Sequence, residues 1–188
     1  MDAAISICLL GCVPVAVKFV SANTYTIGIA RLTVAALGSY VMLRKKRRML
    51  SISFKNWLIL LSLGLLFGLH WLTFFLSIKI ASAAIASIGL STYGVHLIIL
   101  GWFFRKNAVT LTDALAVILA IIGSIIVIPD FTLENNTTQG ICLSVISGLF
   151  YASLPIIHQK NPQLSSSIRA FGQFLFALIF FPIFFPAN

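Results

Sequence analysis

Between Trp57 and Phe104 the chain carries a single charged side chain, that of Lys79. A helix needs about 20 mostly apolar residues to cross roughly 30 Å of hydrocarbon, so this stretch is too long for one crossing. It predicts two membrane-spanning helices joined by a turn near Lys79. The composition agrees, because 60% of the 188 residues are apolar and 9% are charged, whereas soluble domains carry about 25% charged residues. A soluble globular protein is therefore excluded.

Seven apolar stretches approach or reach the length of a membrane span. They cover residues 3–20, 25–43, 57–78, 83–104, 111–128, 140–157 and 168–185. The first stretch follows Asp2 and lacks the positive start of a signal peptide, and its apolar run is longer than a signal core, so no cleavage is expected. The sequence predicts an all-α membrane protein, a multi-pass bundle of transmembrane helices whose main surroundings are the lipid bilayer.

The basic residues fall in short clusters between the predicted spans, and Lys and Arg near span ends favour the cytoplasm. With a cytoplasmic amino terminus, Lys79 is the only basic residue of the outer loops. The inner loops then hold Arg44, Lys45, Lys46, Arg47, Arg48, Lys55, Arg105, Lys106 and Lys160. This count predicts a cell-membrane protein, in the inner membrane if the source is Gram-negative, with its amino terminus inside. The clustering also argues against a nucleic-acid partner despite the net charge of +9, because no basic face is formed.

Small residues at four-residue spacing allow helices to approach closely in lipid, where apolar contact alone contributes little. Three predicted spans carry small residues at this spacing. The residues are Gly64 and Gly68 in the third span, Ala83, Ser87 and Ser91 in the fourth, and Ala116, Ala120 and Ser124 in the fifth. The spacing predicts that these spans pack tightly through those positions.

Groups that could support catalysis or hold a metal or cofactor do not converge in this sequence. No predicted span has an acidic residue in its middle, and Asp113 stands in the first turn of the fifth span, where a carboxylate favours a helix amino terminus. The histidines and cysteines lack the spacing of a metal site or of a disulfide framework. They are His70, His96, His158, Cys8, Cys12 and Cys142. We therefore expect no enzyme activity, no metal and no cofactor.

Single polar residues at depth are typical of a pathway or a binding cavity. Arg31 lies inside the second span, where a cation costs on the order of 3 kcal/mol, and it either lines a cavity or snorkels to the interface. His70, Trp71 and Tyr93 fall near mid-membrane, and Tyr151 lies in the sixth span. Aromatic and neutral polar groups suit stacking and hydrogen bonding to a small organic solute. These five residues are the predicted substrate-binding set, with ordinary bundle packing as the alternative for each.

Short motifs follow one another along most of the chain. They are Gly11, Pro14 and Lys18 in the first span, Ala30, Arg31 and Leu32 in the second, the small-residue segment 81–87, Gly123 in the fifth, and residues 140–148 with Tyr151 and Ala152 in the sixth. In this order they resemble the drug/metabolite transporter (DMT) superfamily, in particular its EamA-like transporter domain. The chain departs from the family in its fourth helix, where Tyr93 and Gly94 replace the usual proline, and beyond it, where Arg105 and Lys106 replace a glutamate.

The resemblance implies a first repeat of five transmembrane helices over residues 1–129. It also implies the first two helices of a second, inverted repeat over residues 138–188, with Arg31 and Arg169 at comparable places. Three helices of the family's ten would be missing after Asn188. A homodimer or heterodimer could supply them, and the chain alone is expected to transport weakly or not at all.

The implied function is that of a permease for small organic metabolites or drugs, working by alternating access with its site between the repeats. Two alternatives stay open. One is a non-transporting membrane assembly subunit. The other, less favoured, is a membrane-embedded lipid-modifying enzyme, which would need a cluster of Asp, Glu or His at a membrane face.

Overall fold

The computed structural model describes residues 15, 17–45, 53–105, 110–126, 132 and 135–184, and all regular secondary structure within them is helical. The helices are α1 Thr24–Lys45, α2 Phe54–Ile80, α3 Ala83–Ser91, α4 Tyr93–Arg105, α5 Leu111–Ile126, α6 Asn136–Lys160 and α7 Ser166–Phe184. This confirms the all-α fold class. The predicted first span, residues 3–20, lies largely outside the described residues.

Within the described residues, five stretches are long and apolar enough to cross a membrane. They are Tyr25–Arg44, Phe54–Ile80, Ala83–Phe104, Asn136–Lys160 and Ser166–Ile183. The third of these combines α3 and α4, which are joined through Thr92 in a helical conformation. Helix α5 contributes a shorter apolar stretch, Leu111–Gly123. The chain is therefore a multi-pass membrane protein.

Helix α2 lies at the centre of the bundle. Its most extensive contacts are with α6 and α7, while α1 packs on α7, and α3 and α4 pack on α6. Leu63 and Phe75 of α2 are fully buried. Helix α5 contacts mainly α4 at the edge of the bundle, and its large apolar side chains, such as Leu119, are exposed. An apolar outer surface of this kind suits a lipid environment.

The predicted turn near Lys79 separates α2 from α3. Helix α2 ends at Ile80, and the side chain of Ser82 accepts a hydrogen bond from the Ile85 amide at 3.1 Å. This serine cap satisfies one of the amides that a helix start leaves free. The hairpin predicted from the uncharged run is thus present.

Glycines let α2 and α7 approach closely. A methyl group on Gly64 would overlap the Cβ atom of Phe176 and come within 2.9 Å of the backbone nitrogen of Ala177. Gly64 and Gly68 are both buried, as the small-residue spacing in the third span predicts. Close approach through glycine is a common way for helices to pack in lipid.

The small-residue prediction is wrong for Ser87 and Ser91 of the fourth span and for Ala116 of the fifth. In α3 the buried small residues are Ala86 and Gly89, and a methyl group on Gly89 would overlap Ser144 of α6. Ser87 and Ser91 are exposed instead, as is Ala116 of α5. The spacing identified helices that carry small residues, but α3 is rotated so that a different stripe faces its neighbour.

At one end of the bundle, two lysines form hydrogen bonds between the α2–α3 turn and the chain that precedes α1. The ammonium group of Lys18 donates to the carbonyl oxygens of Ile78 at 3.2 Å and Ala81 at 3.0 Å. That of Lys79 donates in the opposite direction, to the carbonyl oxygen of Val20 at 2.8 Å. Lys18 thereby satisfies carbonyls at the carboxyl end of α2, where a cation is favoured.

The opposite end brings together the start of α2, the end of α4 and the α6–α7 turn. Gln163 donates to Asn56 at 3.5 Å, and the ammonium group of Lys160 lies 4.7 Å from the ring centroid of Phe104. Arg169 donates to the carbonyl oxygens of His158 at 3.0 Å and Asn161 at 3.1 Å, at the carboxyl end of α6. Lys18 and Arg169, two cations near the ends of predicted spans, thus each have backbone partners.

Candidate functional site

A cavity of about 630 Å³ opens among helices α1, α2, α3, α4, α6 and α7. Its size falls within the range of small-molecule sites, roughly 300–1,000 Å³. Apart from the five predicted residues, it is lined by Gly28, Leu32, Ala35, Phe67, Phe74, Phe75, Ser87, Leu90, Ser91 and Phe174. The lining is apolar and aromatic with a few polar groups, as is usual where organic molecules bind.

All five residues of the predicted set line this cavity, and each contacts the next. The guanidinium carbon of Arg31 lies 4.5 Å from the ring centroid of Trp71. Ring centroids are 5.6 Å apart between Trp71 and His70, 4.6 Å between His70 and Tyr151, and 5.0 Å between Tyr151 and Tyr93. We call these five residues the cavity row. The structure brings them together, and their role in binding substrate stays a prediction.

Arg31 begins the cavity row as a half-buried cation. Its cation–π contact with Trp71 is worth about 0.5–2 kcal/mol, less than the roughly 3 kcal/mol that insertion scales assign to a cation deep in a span. Among the described residues, Arg31 has no hydrogen-bond acceptor and no carboxylate partner. Within this part of the chain, nothing competes with a bound group for the guanidinium donors.

His70 is held by a pair of contacts to Ser147 of α6. The ring nitrogen Nδ1 lies 3.2 Å from the Ser147 carbonyl oxygen and 2.8 Å from its hydroxyl oxygen. Because a carbonyl oxygen only accepts, Nδ1 carries the proton, which leaves Nε2 as the acceptor in a neutral imidazole. The Ser147 hydroxyl donates in turn to the His70 carbonyl oxygen at 2.8 Å. His70, only 4% exposed, is thus fixed in orientation.

Sequence analysis missed Ser147 and the phenylalanines of α2. A serine in an apolar helix gives no signal of its own, because such residues commonly bond to their own helix. Phe67 and Phe74 could have been found, since they lie three residues before and four after His70 and so share its helix face. The Phe67 ring packs edge-on against Trp71 at 5.8 Å and contacts His70 at 6.0 Å.

Trp71 is oriented by ring packing. Its closest ring neighbour is Phe75, at 4.8 Å between centroids. Its indole nitrogen is buried and has no hydrogen-bond partner within the described part of the chain. Edge and tilted contacts of this kind each contribute about 0.5–1.5 kcal/mol. The indole face therefore stays in place as the platform under Arg31.

The other two histidines lie away from the cavity lining. His96, which shares a helix face with Tyr93, has its Nε2 atom 3.1 Å from the carbonyl oxygen of Val145 and therefore donates to it, linking α4 to α6. His158 lies at the α6–α7 turn beside Arg169. Within the described ranges, no group of three His, Cys, Asp or Glu side chains could hold a metal ion.

Asp113 does not approach the cavity row. Its carboxylate accepts hydrogen bonds from the amide of Thr110 at 2.9 Å and from the hydroxyl of the same residue at 2.7 Å. The Thr110 hydroxyl lies 3.2 Å from the Asp113 amide and caps it in return. The acid thus serves the start of α5, in the structural role that its position in the sequence favours.

Comparison with known proteins agrees with this architecture. No curated protein and no solved structure matches the chain significantly. The family model of the EamA-like transporter family matches residues 3–128, which is more than half of the chain. The match includes Arg31, His70, Trp71 and Tyr93 of the cavity row. The chain therefore belongs to the EamA-like transporter family, a family of DMT-type membrane transporters.

Proposed function

We propose that the protein moves small organic solutes across the cell membrane and binds them, without a covalent step, in the cavity beside the cavity row. The observation that carries this proposal is the convergence of five residues from α1, α2, α4 and α6 on one cavity of about 630 Å³. An aromatic wall beside a cation that has no oxygen partner among the described residues can stack on a solute and orient it. The described lining residues include no paired acid and base that would suggest catalysis instead.

Alternating access is the mechanism that we propose. A carrier must expose its site to the two sides of the membrane in turn, which family members achieve by rocking one half of the bundle against the other. The cavity row would span such a seam, because Trp71 and His70 belong to α2, in the predicted first repeat, whereas Tyr151 belongs to α6, in the predicted second repeat. Movement of α6 relative to α2 would reshape the site and release the solute.

For the orientation, we propose a cytoplasmic amino terminus in the cell membrane. The end of the bundle that holds Asn56, Phe104 and Lys160 is also the end at which the basic loops enter and leave. Lys79 and Lys18 mark the opposite end. The basic end is the one that the positive-inside rule assigns to the cytoplasm.

The test fills the cavity. Ser87 lines it, is exposed, and donates to the Ala83 carbonyl oxygen at 2.8 Å. Ser62 is the matched control, because it is also exposed and donates to the Leu58 carbonyl oxygen at 2.9 Å, but it lies outside the cavity lining. The variants Ser87→Phe and Ser62→Phe both replace an exposed helical serine by phenylalanine, and only the first places the new ring in the cavity.

Flux is measured in cells that express the chain. The panel contains labelled amino acids, nucleosides, organic cations and aromatic acids, and rates are normalised to the amount of inserted protein. We expect Ser87→Phe to slow the transported solutes at least fivefold and Ser62→Phe to change them less than twofold. Equal loss in the two variants would contradict the proposed site, and no flux above that of control cells for any solute would contradict transport.

A further inference from the structure

We infer that the solute is a small aromatic organic anion, bound with its negative group on Arg31 and its ring against His70, Tyr151 and Tyr93. This inference rests on the proposed function and deepens it by naming a substrate class. Two independent features carry it. One is the availability of the Arg31 guanidinium, and the other is the run of rings that continues from it.

Arg31 differs from three other cations that lie beside or inside the spans. Lys18, Lys79 and Arg169 each donate to backbone carbonyl oxygens at 2.8–3.2 Å. Arg31 faces the cavity and, among the described residues, has no oxygen partner at all. Its side chain is therefore the one in this group whose donors remain to be satisfied by a ligand.

The described residues that line the cavity include no carboxylate that could neutralise Arg31. The whole sequence has only four acidic residues, and none falls between Arg31 and Tyr93 or between Gly140 and Phe184. A guanidinium group presents a planar fork of donors that matches a carboxylate or phosphate in two-point contact. An anionic group on the solute supplies the charge that the protein leaves out.

The remainder of the cavity row selects the body of the solute. His70 stacks on Tyr151 with 22° between the ring planes, and Tyr151 contacts Tyr93 at 5.0 Å. Phe67, Phe74 and Phe174 also line the cavity. Rings prefer offset-stacked or edge contacts with other rings, so an aromatic solute gains contacts here that a saturated one of equal size does not.

Arg31 lies at one end of the cavity row, and the rings of His70, Tyr151 and Tyr93 lie towards the other end. Trp71 lies between them. A solute that satisfies both must therefore carry its charge at one end and its ring at the other. Simple arylalkanoic acids have this form. Phenylacetate is the probe, phenylacetamide is its uncharged counterpart, and cyclohexylacetate keeps the charge while losing the aromatic ring.

Trp71 provides the binding signal. The sequence has three tryptophans, and Trp57 and Trp102 are both exposed and lie outside the cavity lining. Replacing these two by Phe in the full chain leaves Trp71 as the sole indole. The Trp71 fluorescence of purified protein in lipid nanodiscs is then titrated with each probe at neutral pH. The same titration of protein-free nanodiscs corrects for partitioning of the probe into lipid.

We expect phenylacetate to bind at least tenfold more tightly than either analogue. Arg31→Gln should abolish the preference for phenylacetate over phenylacetamide, whereas Arg31→Lys should keep part of it because the charge remains. Lys55→Gln is the control, since Lys55 is an exposed cation at the start of α2, outside the cavity. It should leave all three affinities unchanged.

The outcomes separate the two ideas. Equal affinity for phenylacetate and phenylacetamide overturns the anion assignment, a test that needs no Arg31 variant and so does not depend on how those variants fold. Equal affinity for phenylacetate and cyclohexylacetate overturns the aromatic assignment. Failure of all three probes to bind overturns the inference as a whole, while flux of other solutes that Ser87→Phe blocks would leave the proposed function standing.

Discussion

His70 of α2 and Tyr151 of α6 stack with their ring centroids 4.6 Å apart and their planes 22° apart. One turn before Tyr151, Ser147 exchanges hydrogen bonds with the backbone and ring of the same histidine. Two kinds of contact, one aromatic and one polar, thus join α2 to α6 at the cavity wall.

Replacing Tyr151 by Leu should slow solute flux about three- to tenfold, because the contacts with His70 and Tyr93 are lost and each aromatic pair is worth about 0.5–1.5 kcal/mol. Tyr151→Phe keeps the ring and should retain most of the flux. Tyr40→Leu is the control, since Tyr40 is 38% exposed, like Tyr151 at 37%, but packs on Phe171 away from the cavity. The prediction fails if the Leu variants of both tyrosines behave alike.

Ser147→Ala should lower the free energy of unfolding in detergent by about 1–3 kcal/mol, which lowers the melting temperature. The reason is that the fully buried hydroxyl contacts both the ring nitrogen Nδ1 and the carbonyl oxygen of His70. Ser153→Ala, on the same helix, removes a hydroxyl that only donates to the Leu149 carbonyl oxygen one turn back. That control should change the stability by less than about 0.5 kcal/mol. Comparable melting temperatures for the two variants would show that the bridge contributes little.

Gly64→Ala should destabilise the bundle by about 1–3 kcal/mol, since the added methyl group overlaps Phe176 and crowds the backbone of α7. Gly38→Ala is the matched change in α1, where a Cβ atom meets nothing within 4 Å. Because alanine favours a helix over glycine by about 1 kcal/mol, this control should be neutral or slightly stabilising. Thermal unfolding followed by helical circular dichroism measures both, and a stable Gly64→Ala protein would contradict the close packing.

Membrane orientation can be read by labelling single cysteines in a background in which Cys8, Cys12 and Cys142 are changed to Ser. Ser21→Cys, near the Lys18 and Lys79 end, should react with an impermeant maleimide in intact cells. Gln163→Cys, in the exposed α6–α7 turn, should react only after permeabilisation. The reverse pattern would place the basic loops outside and overturn the proposed orientation.

Much of the bundle could be predicted from hydropathy alone. The predicted span over residues 25–43 lies within α1, Thr24–Lys45, and that over residues 57–78 lies within α2, Phe54–Ile80. Counting residues from the span ends also placed His70 and Tyr93 at matching depth, and they line the same cavity. Depth follows from the fixed rise per residue of a helix, so this part of the site needed no knowledge of neighbouring helices.

Helix rotation could not be predicted in the same way. In a soluble protein the apolar face of a helix shows which side packs inward, but α3 carries no charged side chain that would mark an outer face, and lipid accepts any of its faces. The sequence therefore favoured Ser87 and Ser91 as packing residues, whereas the buried small residues are Ala86, which packs with residues of α2, and Gly89, which faces α6. For the same reason nothing marked Ser147 as the residue that meets His70.

Lys18 and Lys79 hold the α2–α3 turn through carbonyl oxygens, each from the opposite side of the contact. Their partners are dipoles without net charge, so dissolved counter-ions screen these bonds far less than they would screen a pair of opposite charges. These hydrogen bonds should therefore persist at high salt concentration as they do in dilute buffer. A protein with this pair of contacts would keep that end of the bundle joined when the salt concentration of the adjoining solution changes.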